Sequence, residues 1–215
     1  MTRLLIADDH PLFREALHGA LAKYFSDLVI EEADTLESTL TKLEKSDDYD
    51  LILLDLHMPG AGDLYGLIRI RNDYPLLPIA VISGTEDAQV ISRCMGFGAL
   101  GFIPKSLASV DIAKAISCML EGEEWVPADV REQIADISQA DLELAEKVAA
   151  LTPQQYKVLF HVHEGLLNKQ IAYELGITEA TVKAHMTAIF RKLDVYSRTQ
   201  VVLLAERLQL APPSS

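Results

Sequence analysis

Residues 51–60 read Leu51-Ile52-Leu53-Leu54-Asp55-Leu56-His57-Met58-Pro59-Gly60. Four consecutive apolar residues ending in a carboxylate do not alternate, so this is a strand covered on both faces rather than one with a wet side. Leu4-Leu5-Ile6-Ala7 repeats the design and ends in Asp8-Asp9. Ile79-Ala80-Val81-Ile82 repeats it again and ends in Ser83, and a shorter run, Leu100 to Ile103, precedes Lys105. Val29-Ile30 is a weaker strand signal. Helical spacing fills the intervals: Leu12, Ala16, Leu17, Ala20 and Leu21; then Leu36, Leu40 and Leu43; then Leu64 to Arg71, Glu86 to Met95 and Val110 to Leu120.

Alternating β and α signals with doubly covered strands predict a parallel, doubly wound sheet, the flavodoxin-like α/β architecture, over the first 120 residues. Ligands in such sheets sit beyond the carboxyl ends of the strands. Every polar residue singled out above falls at such an end.

The whole chain has 215 residues, 49% hydrophobic and 24% charged, which excludes a disordered or low-complexity protein. Cys94 and Cys118 stand in no CxxC spacing, so neither a disulfide framework nor a structural zinc site is expected. Nothing approaches the ~18 apolar residues of a membrane span, and Asp8-Asp9 comes too early for a signal peptide. A cytoplasmic protein without membrane contact is expected. Net charge is −13, which alone argues against nucleic-acid binding. It is unevenly spread: −9 over residues 1–121, −6 over 122–150 and +2 over 151–215. That asymmetry suggests two modules with different partners.

Residues 122–148 carry no strand signal and read as an acidic linker, with Val130, Ile134 and Ile137 on one helical face. From Leu151 the pattern is all helical. Thr152-Pro153-Gln154-Gln155 is a cap, a proline at the first helical position and a Gln closing a capping box. Asn168 opens a short helix stopped by Gly176, Thr178 caps the next, and Ser197 caps the last, which runs through Leu208. His161 and His163 are two apart on a helix, point to different sides, and are not expected to bind metal.

Asp8, Asp9 and Asp55 lie at the ends of strands that would be ~4.8 Å apart if adjacent. Such a cluster calls for a cation, and hard oxygen ligands with room for water and phosphate suit Mg²⁺. Lys105 can neutralise further charge, and Ser83 offers a hydroxyl.

This set resembles a response-regulator receiver domain over residues 1–121. The resemblance implies that Asp55 accepts a phosphoryl group from the phosphohistidine of a sensor histidine kinase. It implies that Asp9 and Asp55 bind Mg²⁺ directly with the backbone carbonyl of His57, and Asp8 through water. Ser83 would swing to the phosphate, and Phe102 would occupy the aromatic switch position beside Lys105. Receivers usually place Pro after the lysine, with a cis bond. Here Pro104 precedes Lys105 and Ser106 follows it, so no cis bond is expected there. An aspartate-nucleophile phosphatase would need Asp two residues after the nucleophile, where His57 stands.

The helix at 168–175, the turn at Gly176-Ile177 and the helix at 178–192 form a helix-turn-helix candidate. Its second helix carries Lys183, Thr187 and Arg191 on its outer face with the small Ala184 and Ala188, which suits bases and phosphates in a major groove, and Thr181 is a further candidate for DNA contact. Asn168, Lys169, His185, Lys192 and Arg198 could hold the phosphate backbone of double-stranded DNA. Leu151 to Val202 resembles the LuxR-type DNA-binding domain through Leu151-Thr-Pro153, Gly165 to Ala172, Leu175 to Glu179 and Thr181 to His185, with Ile189, Lys192-Leu193, Val195 and Arg198. Gln154-Gln155 stands where that family has an Arg-Glu pair, which puts a salt bridge to Arg198 in question.

Together the halves resemble NarL/FixJ two-component regulators. The expected division is a receiver at 1–121, a linker at 122–148, an all-α four-helix DNA-binding domain at 149–211 and a disordered tail at 212–215. The resemblance implies phosphorylation-controlled dimerisation and transcription, with no enzyme activity beyond self-catalysed aspartyl phosphorylation and dephosphorylation. The stripe Val201, Leu204, Ala205 and Leu208 reads either as a dimer seam or as plain core. The alternative function is a regulator that binds DNA or partners independently of phosphorylation.

Overall fold

The computed structural model describes residues 1–62, 64–133 and 138–207. Cα packing divides the chain into two units, one through residue 137 and one from 138.

The first unit holds a five-stranded sheet. Its strands are β1 (Thr2–Ala7), β2 (Leu28–Ala33), β3 (Leu51–Asp55), β4 (Ile79–Ser83) and β5 (Gly101–Pro104). All pairs are parallel, in the order β2-β1-β3-β4-β5. The helices are α1 (Pro11–Leu21), α2 (Leu36–Lys45), α3 (Leu64–Asp73), α4 (Ala88–Gly96) and α5 (Ser109–Leu120).

Every residue of β3 and β4 is buried, as their unbroken apolar runs demand. Leu4, Ile6, Leu51, Leu53, Ala80, Ile82 and Ile103 form one face with Leu17 and Leu21 of α1 and Ile112, Ile116 and Met119 of α5. Each large aliphatic side chain among them contributes roughly 1.5–3 kcal/mol by burial. The weak signal at Val29-Ile30 belongs to the edge strand β2, whose Glu31 pairs with Arg3 and Lys42 and whose Glu32 pairs with Arg14. An edge strand can carry charge where a central one cannot. Pro104 lies on the opposite edge strand, where a missing donor is tolerated.

Residues just beyond α5 return to the sheet. Trp125 bridges Gly101, accepts from Phe102 N at 2.9 Å and packs its ring against the core. Gly101 cannot carry a side chain, because a Cβ would stand 2.7 Å from the Trp125 carbonyl oxygen and closer still to Met119 Sδ.

The second unit contains α6 (Gln139–Ala149), α7 (Pro153–His163), α8 (Asn168–Glu174), α9 (Glu179–Leu193) and α10 (Arg198–Arg207). Thr152 caps α7 reciprocally with Gln155, and Thr178 caps α9. Gly176 takes φ +62° in the turn between α8 and α9, a conformation that other residues rarely adopt. Tyr156, Val158, Val162, Ile171, Val182, Ile189 and Val201 are buried in its core. α6 packs against α9, and its Asp141 and Lys147 reach Arg207 and Asp194. Of the residues expected on the linker face, Val130 is buried, while Ile134 and Ile137 lie outside the described residues. So do Leu208 and the tail at 212–215.

Candidate functional site

Register builds the first site. Ala7 stands level with Leu54, so Asp8 follows level with Asp55. Asp55 is level with Ile82, and Ser83 with Pro104. The parallel sheet thus delivers Asp8, Asp9, Asp55, Ser83 and Lys105 to one edge. Asp8, Asp55 and Ser83 are buried to 0%, 1% and 0% exposure.

Lys105 Nζ lies 2.7 Å from Asp8 Oδ2 and 2.9 Å from Asp55 Oδ2, where it donates a hydrogen bond to Asp55. The His57 backbone N–H donates to Asp55 Oδ1 at 3.2 Å. Ser83 Oγ accepts from Thr85 N at 3.2 Å and lies 3.4 Å from His57 Nδ1. The Lys105 backbone N–H donates to the Ser83 carbonyl at 2.7 Å, which fixes the two loops to each other. Phe102, three residues before Lys105, is fully buried.

His10 joins the cluster, although the sequence reading does not single it out. Its Nδ1 lies 3.0 Å from Asp8 Oδ1 and 2.8 Å from Asp9 Oδ1. Its only sequence signal is its place directly after the acid pair. Arg14, also unforeseen, donates to the Asp8 carbonyl at 2.5 Å and to Glu32 Oε2 at 2.6 Å.

Asp8, Asp9, His10 and Asp55 bring one ligand atom each to within 4.8 Å of one another. Two carboxylates at that separation repel by roughly 3 kcal/mol at an effective dielectric of 20. Asp8 Oδ2 and Asp9 Oδ1 are buried without a hydrogen bond of proper geometry, although Lys105 and His10 stand near them. Buried oxygens held by proximity alone fit a divalent cation. Receiver domains bind Mg²⁺ at such an acidic pocket.

The second site lies on α9. Lys183, Ala184, Thr187 and Arg191 are exposed; Thr181 and His185 are half-buried. Lys183 pairs with Glu179 at 3.3 Å, Thr181 Oγ1 lies 2.8 Å from Thr178 Oγ1, and Thr187 Oγ1 donates to the Lys183 carbonyl. Lys169 is exposed on α8. Three other residues expected at the phosphate backbone also tie the helices together. Lys192 Nζ donates to the Ala150 carbonyl at 2.7 Å and Gln155 Oε1 at 2.8 Å. Arg198 donates to the Leu166 carbonyl and to Asn168 Oδ1, and burial pushes its guanidinium pKa down. Gln155 thus bonds Lys192 and the Thr152 backbone, while Arg198 turns to the turn before α8.

On α10, Val201 and Ala205 are buried within the unit, where α10 packs on α7. They act as core, and Leu204 is half-buried.

Residues 4–117 match the response regulator receiver domain, and residues 149–205 match the bacterial regulatory proteins of the luxR family. The chain is 44% identical over 210 residues to the glycerol metabolism activator of Pseudomonas putida, covering 95% of each. It is 31% identical over 201 residues to the nitrate/nitrite response regulator NarL of Escherichia coli K12, covering 93% of each. The fold is similar to the RcsB response regulator of Salmonella typhimurium at TM-score 0.55 and 25% identity, covering 96% of this chain and 98% of that one. A receiver domain implies a histidine kinase as phosphodonor, and a LuxR-type domain implies DNA as partner. Among the described residues no helix is long and apolar enough to cross a membrane. With an acid pocket on a parallel sheet and a helix-turn-helix unit following it in the sequence, the chain belongs to the response regulators that join a receiver domain to a LuxR-type DNA-binding domain and regulate transcription.

Proposed function

We propose that this chain is a cytoplasmic regulator whose Asp55 accepts a phosphoryl group from the phosphohistidine of a sensor kinase. The observation that carries this reading is the Asp55 carboxylate, 1% exposed, held between Lys105 Nζ at 2.9 Å and the His57 N–H at 3.2 Å. A carboxylate oxygen of Asp55 attacks phosphorus, the P–N bond to the donor imidazole breaks, and the imidazole leaves with the bond's electrons and takes up a proton. In dephosphorylation water attacks the same phosphorus, the bond from phosphorus to the Asp55 oxygen breaks, and the Asp55 carboxylate is restored as inorganic phosphate and a proton leave.

Asp8, Asp9, Asp55 and the His57 carbonyl would hold Mg²⁺, which when bound offsets charge on the phosphoryl oxygens. Lys105 stays beside Asp55 and neutralises a further phosphoryl oxygen. Ser83 exchanges its Thr85 partner for the phosphoryl group. Phe102 lies three residues before Lys105 and its N–H bonds the Trp125 carbonyl, so the movement of Ser83 is felt at β5 as repacking.

Phosphorylation then favours a homodimer that places two copies of α9 on paired half-sites of double-stranded DNA. The RcsB response regulator has been solved as dimers on DNA. Lys183, Ala184, Thr187 and Arg191 would face the groove, with Thr181, Lys169 and His185 beside the backbone. Arginine has five N–H donors, so Arg198 keeps donors for phosphate while bracing the unit, with Asn168 held by it, and Lys192 would lie beside the same phosphates. The domain division of receiver at 1–121 and DNA-binding domain at 149–211 is part of the same proposal, with 122–148 between them.

The test is intact mass after incubation with Mg²⁺ and acetyl phosphate, for the wild type and Asp55→Asn. One added phosphoryl group in the wild type alone is the expected result. No gain from acetyl phosphate or from a phosphorylated kinase overturns it and favours phosphate-independent binding.

A further inference from the structure

Ser106 stands where a receiver usually has proline, and the phosphoryl-transfer reading gives it no part. It lies in a four-residue turn, Pro104 to Leu107, closed by the Leu107 N–H donating to the Pro104 carbonyl at 3.2 Å. The turn follows the edge strand β5, whose neighbour in the sheet is β4. Two bonds cross from it to the loop after β4. The Lys105 N–H donates to the Ser83 carbonyl at 2.7 Å, and Ser106 Oγ donates to Glu86 Oε1 at 2.5 Å. Glu86 has a fixed base of its own. The next residue, Asp87, caps α4, and its carboxylate accepts from the Gln89 and Val90 N–H groups.

We infer that Ser106 is a positioning residue for phosphoryl transfer: its bond to Glu86 fixes the turn that aims Lys105 at Asp55. The inference rests on the reading of Asp55 as phosphoacceptor and Lys105 as its charge partner, and adds the pair of residues that holds Lys105 in place.

The Lys105 ammonium ends a flexible four-carbon stem. It stays 2.7 Å from Asp8 Oδ2 and 2.9 Å from Asp55 Oδ2 only while the backbone beneath it keeps its place at the sheet edge. The Lys105 N–H bond alone is a single hinge, about which the turn can rock. The Ser106–Glu86 bond is a second point of attachment one residue further on, and two points stop the rocking. Proline at this position would stiffen the turn through its own fixed φ. Serine leaves φ free, and its hydroxyl supplies the tie instead. Ser106 and Glu86 are both exposed, where a neutral hydrogen bond contributes little. This bond ends on a carboxylate, and its length is that of the stronger, charge-assisted kind.

The proposed role has a kinetic signature. Lys105 acts on charge that develops on the phosphoryl oxygens, both when the acyl phosphate forms and when water cleaves it. A loosened Lys105 therefore slows both steps by one factor and leaves their ratio alone. A tie that only selected one conformation of the loops would change the ratio.

The experiment gives the full chain Mg²⁺ and acetyl phosphate. Intact mass follows the rate of phosphoryl gain, the rate of loss after the donor is removed, and the steady-state phosphorylated fraction. The variants are Ser106→Ala, Ser106→Thr, Glu86→Gln and the double variant of Ser106→Ala with Glu86→Gln. Removing an aimed donor outright costs roughly 10²–10³-fold, whereas Ser106→Ala only loosens one, so both rates should fall about fivefold with the steady-state fraction unmoved. Ser106→Thr keeps the hydroxyl and should match the wild type. Glu86→Gln keeps an acceptor without its charge and should slow both rates less than Ser106→Ala does. In the double variant it should add nothing to Ser106→Ala, because the two residues act through one bond. Unchanged rates in Ser106→Ala, or a change in one rate alone, overturn the inference and leave the phosphoacceptor reading standing. Failure of the wild type to gain a phosphoryl group overturns both.

Discussion

At the carboxyl end of the first unit's sheet, Asp8, Asp55 and Ser83 are sealed from solvent and Lys105 is 16% exposed. On α9 of the second unit, Lys183, Ala184, Thr187 and Arg191 face open water. The same kinds of group, charges and hydroxyls, therefore act under opposite conditions. In the buried cluster each charge needs a named partner, since an unpaired one is costly. On the exposed helix each charge is already hydrated, and function is a sum of weak interactions made when a duplex arrives. Single substitutions should be severe in the first place and graded in the second.

The sharpest break in that contrast is Lys105→Ala. It leaves Asp8 and Asp55 without their shared cation, and loss of one buried partner costs about 3–5 kcal/mol. Urea unfolding should show a loss of that order, partly recovered by saturating Mg²⁺. A change of a few tenths would mean that Lys105 is a solvated lysine and the contrast is false.

Lys192→Met comes next, because Lys192 stands between the two conditions. It removes bonds to the Ala150 carbonyl and Gln155, and the expected loss in unfolding of the second unit is about 2 kcal/mol. Undiminished stability would assign Lys192 to the exposed class.

Lys183→Ala and Arg191→Ala should leave unfolding unchanged. Each should weaken duplex binding and lower the salt slope by about 0.9 for every phosphate that is no longer neutralised. A slope equal to the wild type's, with weaker binding, would mark the residue as reading bases instead.

The smallest effect belongs to the partly exposed edge strand. Burial works to raise the Glu31 pKa, but hydrogen bonds from Tyr49, Lys42 and Arg3 outweigh it and hold the carboxyl below its ordinary value. A lowered carboxyl pKa stabilises the fold above its unfolded value, and that stability is lost as pH falls through the folded one. Glu31→Gln should therefore lower stability at pH 7 to 8, leave it little altered at acid pH where the carboxyl is protonated, and so flatten the acid side of the stability profile. An unchanged acid limb on thermal melts from about pH 3 to 7 would remove Glu31 from the account.

The first unit is the more legible in sequence for the same reason that it is the more demanding. Buried parallel strands write themselves as apolar runs, and the register places Asp8, Asp9, Asp55, Ser83 and Lys105 wherever those runs stop. β2 is faint because an edge strand can hold Glu31 and Glu32. His10 and Arg14 are invisible because their parts depend on where a turn carries a side chain, which no periodicity records. Residues 122–148 read as an acidic linker because charge dominates their composition. The few apolar members decide their packing: Trp125 returns to β5, and Leu144, Ala145 and Val148 are buried on α6. In the second unit the capping residues at Thr152 and Thr178 announce the helices, but the outward residues carry no sign that Lys192 and Arg198 also serve as braces.

Trp125 has a further consequence. The chain contains a single tryptophan, and its carbonyl accepts the Phe102 N–H while its ring touches the core beneath β5. Its ultraviolet emission therefore arises from one place, a neighbour of the segment that links Phe102 to Lys105. The molecule carries its own optical probe, so rearrangement of that segment can be followed in real time on unlabelled protein, without a reporter on the DNA or the kinase.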